Sequence, residues 1–236
     1  MILNTDFHIH TALSPCGDED MTPNNIVNMA MLNGLDAIAI TDHNTVENVA
    51  ACMKVGEQIG VTVIPGMELQ TREEVHVICL FSELDRAILF QRFVYDHLPA
   101  LNNNEKVFGE QLIIDEKDEV IGKNSRLLLT STSISFDEAF EEVKRLGGVF
   151  IPAHIDKSAN SVIENLGFIP NYLDIKNIEY KSMDKINMFL KAGFIKASYR
   201  LIKSSDAHYL PDIQQEENKL ECVENSVAAI INKLNS

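Results

Sequence analysis

The chain has 236 residues, 45% of them hydrophobic and 23% charged, and is therefore long enough to bury a substantial core. With 20 Lys and Arg against 35 Asp and Glu, its formal net charge is −15, which disfavours binding to extended duplex nucleic acid, because such binding needs a surface that attracts phosphates. The charge does not exclude a small phosphorylated substrate, since bound metal ions can dominate the local potential.

The N-terminus carries no basic stretch followed by an apolar segment, and no apolar run approaches the roughly 20 residues that cross a membrane. The cysteines are scattered without a C-x-x-C pair; they are Cys16, Cys52, Cys79 and Cys222. For a chain of this length, that usage predicts free thiols rather than a disulfide framework. We therefore expect a cytoplasmic protein that does not bind a membrane.

Strands and helices alternate along most of the chain. The first strand contains residues 6–10, and further apolar runs predict strands at 37–40, 61–67, 75–81, 149–151 and 200–204, with another within 173–180. Helices are predicted after the capping hydroxyls of Thr22, Thr45 and Ser135, and at 84–98, 183–192 and 226–234. This order favours an α/β fold with a parallel sheet and outer helices, either open or closed into a barrel.

Residues 99–132 interrupt this alternation. Short strands at 111–115 and 119–122 surround a charged turn and predict an inserted β-hairpin. This inserted segment either shapes access to a site or is a surface segment without a functional role. Because no linker, repeat or low-complexity segment divides the chain, we expect a single domain over residues 1–236 with this insertion.

The first strand carries two histidines, His8 and His10. Alternate side chains of a strand share a face, so both imidazoles and Asp6 project to one side. An H-x-H pair alone is as compatible with ordinary buried or surface histidines as with a metal site. Here, however, further candidate ligands follow other strands; they are His43, Glu68, His76, His154, Asp206 and His208. His97 lies in a predicted helix instead and is expected to be structural or on the surface.

Ligands bind at the carboxyl ends of strands in parallel α/β sheets and barrels, so these side chains should meet at one edge. Mixed imidazole and carboxylate ligands suit Zn, Mn or Fe rather than Ca. The candidates are too many for one ion and predict two or three divalent ions that share a carboxylate. Closely spaced ions bind phosphate and lower the pKa of a water, which points to hydrolysis of a phosphate ester.

Five segments resemble, in order, the motifs of the PHP (polymerase and histidinol phosphatase) family. They are DFHIHT at 6–11, TDHN at 41–44, GME at 66–68, PAH at 152–154 and SDAH at 205–208. The resemblance spans residue 4 to about residue 209, with residues 99–132 as an interruption. It implies a distorted (β/α)7 barrel of the PHP type with a site for two or three metals.

The resemblance also implies which residues share each ion. One ion would be held by His8, His10, Glu68 and Asp206. A second ion would share Glu68 and be held by His76 and His154. His43 and His208 would hold a third ion with a residue from the loop after the first motif. Family members often have His or Asp in that loop, whereas this sequence offers Cys16, with Asp18 as a substitute, or a simple turn.

Roles follow from this arrangement. A metal-activated hydroxide would attack phosphorus, with Glu68 bridging the ions. His208 or His43 would protonate the leaving oxygen. Asp6 and Asp42 would orient ligand imidazoles or simply cap strand ends. Lys157 is a candidate phosphate contact, although a solvated surface lysine is the simpler interpretation.

Three functions are compatible with these features. The first is a phosphoesterase for a small phosphomonoester or a nucleotide, with histidinol phosphate and nucleotide 3′,5′-bisphosphates as substrates by analogy. The second is an exonuclease on short oligonucleotides, and the third is a metal-binding regulatory protein without catalysis. We expect a small phosphorylated substrate as the partner and no long nucleic acid, because the chain is acidic and lacks a basic, aromatic-rich stripe.

Overall fold

The computed structural model describes residues 1–213 and 218–236. The strands are β1 (Ile2–Ile9), β2 (Ala37–Ile40), β3 (Thr62–Gln70), β4 (His76–Leu80), β5 (Leu112–Ile114), β6 (Val120–Lys123), β7 (Val149–Pro152), β8 (Asn177–Tyr180), β9 (Arg200–Lys203) and β10 (Lys219–Glu221). The helices are α1 (Pro23–Leu32), α2 (Val49–Ile59), α3 (Leu84–His97), α4 (Glu105–Phe108), α5 (Phe136–Arg145), α6 (Val162–Leu166), α7 (Met183–Ala192) and α8 (Val227–Asn235). Each strand and helix predicted from the sequence has a counterpart here.

A six-stranded sheet forms the centre of the fold, in the order β10-β1-β2-β3-β4-β7. Strands β1, β2 and β3 are parallel, as the alternation with helices predicts. Strand β4 runs antiparallel to both β3 and β7. Only residues 71–75 connect β3 to β4, and a connection that short cannot carry the crossover that parallel neighbours need. The purely parallel sheet is therefore wrong at this strand.

The sheet curls, and the fold is a mixed α/β fold with a half-barrel sheet. Strands β8 and β9 form a separate parallel pair. On one side, the Ile155 N–H donates to the Glu179 carbonyl, and on the other side, Ile9 forms a parallel bridge with Ala207. The continuous ladder of the described residues contains six strands, so the closed (β/α)7 barrel stays a prediction.

The sheet is apolar on both faces, as a sheet covered by helices must be. In β2, Ile38 and Ile40 pack into the larger cluster with the helices α1, α2, α3 and α5. Ala37 and Ala39 point to the opposite face, where α8 contributes Ile230. All four residues of β2 are fully buried. A shift by one residue would exchange the isoleucines and the alanines between the two faces, so burial fixes the register of this strand.

Helix α2 begins four residues later than its predicted cap, Thr45. The Thr45 hydroxyl instead contacts Gln91 Oε1 at 3.0 Å and the Tyr95 hydroxyl at 2.8 Å. A tertiary contact to α3 thus replaces the local capping bond. The capping box of α5 is confirmed: Ser135 and Glu138 bond each other's backbone N–H groups.

Within residues 99–132, β5 and β6 pair antiparallel and α4 precedes them. We call this segment the insertion. Its Leu112 N–H donates to the Ala12 carbonyl, and its Ile114 N–H donates to Asn48 Oδ1 at 2.9 Å. The insertion therefore lies against the loop that follows β1. Within residues 1–213 and 218–236, none of the helices has the length and apolar character needed to span a membrane.

Candidate metal centre

The candidate ligands converge at one edge of the sheet. They lie near or just beyond the carboxyl ends of β1, β2, β3, β7 and β9, and His76 begins the reversed strand β4, which brings its first residue to the same edge. We call the following set the histidine cluster: His8, His10, His43, Glu68, His76, His154, Asp206 and His208. The cluster is buried except for Asp206 and His208, which are half-buried.

Glu68 lies at the centre of the cluster, and its two carboxylate oxygens face five imidazoles. The shortest distances to a Glu68 oxygen are 3.3 Å from His8 Nε2, 3.3 Å from His10 Nε2, 3.1 Å from His43 Nδ1, 2.8 Å from His76 Nδ1 and 3.3 Å from His154 Nε2. Burial opposes the ionised form, but the charges of these histidines overcome it and hold the pKa of Glu68 well below its usual range. Glu68 is therefore an ionised carboxylate in a position where two metal ions could share it.

Asp206 closes the cluster from the loop after β9. Its Oδ1 lies 3.2 Å from His8 Nε2 and 3.5 Å from His10 Nε2. Both Asp206, with φ 54°, and His154, with φ 29°, occupy the left-handed region of backbone conformation. Non-glycine residues held there cost about 1–3 kcal/mol each, and such strain gathers at functional sites. The surrounding fold therefore holds both side chains in place at a cost to stability.

Hydrogen bonds fix the tautomers of His8 and His10. His8 Nδ1 lies 3.1 Å from each oxygen of the buried carboxylate of Glu179, so Nδ1 carries the proton. His10 Nδ1 lies 2.9 Å from Ser14 Oγ, and Ser14 in turn donates to Asp42 Oδ1 at 2.7 Å. Because the single Ser14 proton points to Asp42, His10 Nδ1 must be the donor to Ser14. Both Nε2 atoms are thereby left as acceptors.

These two Nε2 acceptors lie 3.1 Å apart and face Glu68 and Asp206. The two Nε2 atoms and the carboxylates of Glu68 and Asp206 are therefore four buried acceptor groups, and they repel one another unless a cation lies between them. Burial opposes a positive charge, yet the carboxylates around His8 raise its pKa well above the usual value. A metal ion fits the same requirement, since ligands at bond lengths of about 2.0–2.2 Å stand roughly 3 Å apart.

Further observations fit more than one ion. Buried atoms of the cluster that have no hydrogen-bond partner are His43 Nδ1, Glu68 Oε2, His76 Nε2 and His154 Nδ1. His43 Nδ1 and Glu68 Oε2 lie 3.1 Å apart but without hydrogen-bond geometry. Three compact groups within the described part of the chain could hold an ion: His8–His10–Glu68, His43–Glu68–His76 and His10–His43–His208. The donor set therefore suits divalent metals of the Zn, Mn or Fe class.

The observed groups differ from the implied ligand sets. The first group does not include Asp206, and the second contains His43 where the implied set has His154. The third group differs as well. His10 joins His43 and His208 there, whereas Cys16 belongs to none of the three groups found within residues 1–213 and 218–236. Burial, followed by the charge of Glu68, raises the pKa of Cys16 to about 12. Asp18 uses Oδ1 to accept the Asp20 N–H, and its own N–H donates to the His208 carbonyl.

Asp6 and Asp42 both lie beside the cluster, but neither contacts a ligand imidazole directly in the way expected. Asp6 Oδ1 accepts the backbone N–H groups of His8 and Ser205. Burial raises the pKa of Asp6 to about 6. Asp42 acts on His10 only through Ser14. His97 packs on Phe93 and bonds its carbonyl, away from the cluster, which confirms its structural role.

Sequence reasoning missed Glu179 and Ser14. Glu179 follows Ile178 in β8, much as Glu68 follows Met67 in β3, so an acidic residue after an apolar residue near the end of a strand was the available signal. Ser14 lies in the loop after β1, where no sequence pattern marks it. Its hydroxyl also accepts the His43 N–H at 3.2 Å, so one short side chain holds two cluster residues.

A cavity of about 440 Å³ opens beside the cluster. Its walls include Lys157 and Lys185 on one side and Leu129 of the insertion. Lys157 Nζ lies 2.5 Å from Asp206 Oδ2, and Lys185 Nζ donates to the Asp156 carbonyl at 2.7 Å. Two cations thus face the space next to a histidine cluster in an otherwise acidic protein.

A model of the PHP domain family matches residues 6–158, which is more than half of the chain. The chain belongs to the PHP domain family. Members and structural neighbours of this family are metal-dependent hydrolases that act on phosphoester bonds. The matched segment contains six of the eight residues of the histidine cluster; Asp206 and His208 lie beyond it.

Three curated relatives share part of this PHP domain. An uncharacterized protein of Methanocaldococcus jannaschii is 35% identical over 35% of this chain and 53% of its own length. A phosphoribosyl 1,2-cyclic phosphate 1,2-diphosphodiesterase of Eggerthella lenta is 29% identical over 33% of this chain and 30% of its own. A 5′-3′ exoribonuclease of Escherichia coli is 27% identical over 50% of this chain and 39% of its own. The matches thus span about half or less of each relative.

Solved structures share the fold over the whole chain. A lesion-specific endonuclease of Pyrococcus furiosus has a TM-score of 0.72 and 18% identity, covering 100% of this chain and 56% of that one. A phosphoesterase structure from Bifidobacterium adolescentis has a TM-score of 0.59 and 18% identity, covering 98% and 96%. At these identities, the similarity concerns the fold.

The exclusion of long nucleic acid as a partner is wrong. Endonuclease Q, solved with a 27-mer duplex whose abasic lesion lies at the active site, matches 99% of this chain with a TM-score of 0.69 and 19% identity. A net charge of −15 describes the whole surface, whereas recognition depends on the local field of the site. The wall of the cavity carries two lysines, Lys157 and Lys185, beside two carboxylates, Glu68 and Asp206, so it does not share the acidic excess of the whole chain.

Proposed function

We propose that this chain is a metal-dependent phosphoesterase that hydrolyses a small phosphomonoester or a nucleotide. The observation that carries the proposal is Glu68, one buried carboxylate that faces five imidazoles at 2.8–3.3 Å beside a cavity with two lysines. A shared carboxylate is a means of holding two ions close together. Bound divalent ions clamp a phosphate and bring the pKa of a water near neutrality.

The chain's own cations would bind the substrate phosphate. Lys157 reaches across the cavity to Asp206, and Lys185 lines the same wall. When a phosphate enters, its oxygens compete with the Asp206 carboxylate and the Asp156 carbonyl for these ammonium groups. A lysine serves this purpose as a point charge with a flexible stem. Lys157 is therefore the proposed phosphate contact, with Lys185 as its neighbour.

When it does not hold a third ion, His208 is the better proposed proton donor to the leaving oxygen. Both histidines line the cavity, but the side chain of His208 is 24% exposed, whereas the side chain of His43 is 5% exposed and faces Glu68. A proton donor must reach the leaving group in the substrate complex. His43 is correspondingly proposed as a ligand rather than an acid.

The size of the cavity supports a small substrate. About 440 Å³ lies within the roughly 300–1,000 Å³ of sites for small molecules. Leu129 adds an apolar surface that a sugar or a base can contact. Either a phosphomonoester or the end of a nucleotide chain would fill such a space.

A nuclease is the second candidate function. It is supported by the similarity to exoribonucleases and to Endonuclease Q. The chemistry at phosphorus would use the same cluster, and only the group that leaves would differ. This proposal allows a nucleic acid whose end or lesion enters the cavity.

The number and kind of metal ions, the barrel and the single domain belong to the same proposal. We infer two or three ions, of Zn, Mn or Fe, with the groups around Glu68 and His10 as their sites. The distorted (β/α)7 barrel and the single domain over residues 1–236 are part of it, supported by the contacts that link β8 and β9 to both sides of the sheet. Glu68 would be the shared ligand throughout.

Phosphate release from a substrate panel tests the function. Metal-free protein would be reconstituted with Zn, Mn or Fe separately and given phosphomonoesters, nucleoside bisphosphates, short oligoribonucleotides and a duplex with an abasic lesion. Glu68→Gln keeps the shape of the side chain and removes its charge. We expect turnover of at least one class, lowered more than about 100-fold in this variant, since even outer partners of ligands cost 10–100-fold.

Glu141→Gln on the exposed face of α5 is the matched control and should leave turnover unchanged. Preference for monoesters would support the first candidate, and preference for oligonucleotides or the duplex would support the second. Metal binding without turnover of any class would replace both by the non-catalytic metal-binding protein.

A further inference from the structure

Glu179 is a buried acidic residue of the site that is not itself among the candidate ligands. It lies in β8, is 1% exposed, and uses both carboxylate oxygens. Oε1 and Oε2 each lie 3.1 Å from His8 Nδ1. Oε2 also accepts the backbone N–H of His154 at 2.9 Å. The carboxylate therefore contacts two residues of different implied ligand sets, His8 of the first and His154 of the second.

The contact to His8 concerns its ring. A carboxylate on Nδ1 fixes the proton there, leaves Nε2 as the ligating atom and prevents rotation of the imidazole. His8 Nε2 faces Glu68 and Asp206, which belong with His8 to the first implied ligand set.

The contact to His154 concerns its backbone. His154 has φ 29°, a conformation that an imidazole-bearing residue adopts only when its surroundings impose it. The Glu179 side chain accepts the His154 N–H, and the Glu179 carbonyl accepts the next N–H, from Ile155. Two bonds from one residue thus stabilise the bend that aims His154 Nε2 at Glu68 Oε1, 3.3 Å away.

We propose that Glu179 is a positioning residue that couples the first and second implied ligand sets, by fixing the tautomer of His8 and the backbone of His154 through one carboxylate. Because His8 belongs to the first of these sets and His154 to the second, loss of this carboxylate would weaken the binding of both ions together. The inference concerns the site of the proposed function, but its test measures metal binding and does not depend on turnover.

Glu179→Gln is the decisive variant because an amide is uncharged and offers one acceptor oxygen, whereas the carboxylate places both of its oxygens 3.1 Å from His8 Nδ1. If the amide oxygen accepts the His154 N–H, its NH2 group faces His8 Nδ1 and drives the His8 proton to Nε2, the ligating atom. If the amide is reversed, its NH2 group meets the His154 N–H, and two donors face each other. We expect both ions to bind 10–100-fold more weakly, the range seen for outer partners of ligands.

Competition with a chelator would measure both affinities, and the absorption spectrum of the Co²⁺-loaded protein would report changes in ligand geometry. Asp156→Asn is the matched control: Asp156 is also buried, and its carboxylate accepts only the backbone N–H groups of Lys181 and Ser182 among the contacts described. This control should lower thermal stability while both metal affinities and the Co²⁺ spectrum stay as in the wild type.

Wild-type affinity for both ions in Glu179→Gln would overturn the proposal, and so would weakening of one ion alone, because coupling requires both. If Glu179→Gln fails to fold, Glu179→Asp replaces it: the charge is kept on a shorter side chain, and metal affinity should fall less than 10-fold with a wild-type Co²⁺ spectrum. A wild-type protein that binds both ions yet hydrolyses nothing would defeat the proposed function and leave this test intact.

Discussion

The histidine cluster and the insertion lie on two sides of the same cavity, and they are built in opposite ways. Cluster side chains project from strand ends, are mostly buried, and contact one another directly at 2.8–3.5 Å. The insertion touches the site through a single apolar side chain, Leu129, and it exposes Phe108, Val120 and Ile121 to solvent. This difference predicts that metal chemistry depends on the sheet edge, whereas substrate choice depends on the insertion.

The insertion is held mainly by side chains that bond main-chain groups. Asn44, next to His43, donates to the carbonyls of Leu128 and Thr130 at 2.8 and 2.9 Å. Gln111 donates to the carbonyls of Asn124 and Arg126 within the insertion. Such bonds fix where the chain runs without specifying which side chains it presents. The wall can therefore vary while the cluster stays constant.

The largest expected effect follows from Asp206→Asn, which removes one cluster charge. Asparagine tolerates the left-handed conformation of this position, so the backbone should not change. A neutral amide leaves two imidazole acceptors without one anionic partner, and turnover should fall more than about 100-fold for every substrate alike. Phosphate release and metal content measure this. A fall confined to one substrate class would contradict the division between cluster and insertion.

A smaller effect should follow from Ser14→Ala, which interrupts the relay from Asp42 to His10. His10 Nδ1 loses its acceptor, and its tautomer is no longer fixed. Metal affinity should fall about 10–100-fold while the fold is retained. Ser14→Thr restores the hydroxyl and should recover part of the affinity. Chelator competition is the measurement, and equal loss in both variants would mean that packing rather than the hydroxyl matters.

Most of the fold and of the cluster could be predicted from the sequence because both follow local rules. His8 and His10 share a face by strand alternation, and polar residues after apolar runs meet at one sheet edge. The reversal of β4 could be foreseen only from its short connection. Ser14 and Glu179 could not be assigned roles, because a hydroxyl or carboxylate on an imidazole depends on the distance between β1, the following loop and β8.

Net charge gave the wrong answer about nucleic acid for a related reason. It sums over the surface, whereas Lys157 and Lys185 act within a few ångströms of the cluster. Thr45 failed as a helix cap in the same way, because its hydroxyl found Gln91 and Tyr95 across the fold. Both the charge at the site and the contacts of Thr45 depend on residues that are distant in sequence, and the sequence alone does not show which of them meet.

A moderate effect on stability should follow from substitutions of Asn44, which anchors the insertion. Asn44→Gly keeps the backbone at φ 55° but loses the hydrogen bonds, and should lower the free energy of unfolding by about 1–3 kcal/mol. Asn44→Ala adds the strain of the left-handed conformation, roughly 1–2 kcal/mol more. Urea unfolding measures both. Equal stability of the two variants would show that the backbone relaxes, and the anchor would then be the side chain alone.

The smallest effect should follow from Leu129→Ala, which enlarges the cavity at the wall of the insertion. Because Leu129 contacts the part of the substrate away from phosphorus, KM should rise by about tenfold or less for nucleotides, the cost of a few lost methylenes. The kcat and the metal content should stay as in the wild type, since no cluster distance changes. Leu127→Ala, beside it but not in the cavity wall, is the control. A fall in kcat for all substrates would mean that Leu129 affects the chemistry as the cluster does, and it would contradict the difference between the two sides of the cavity.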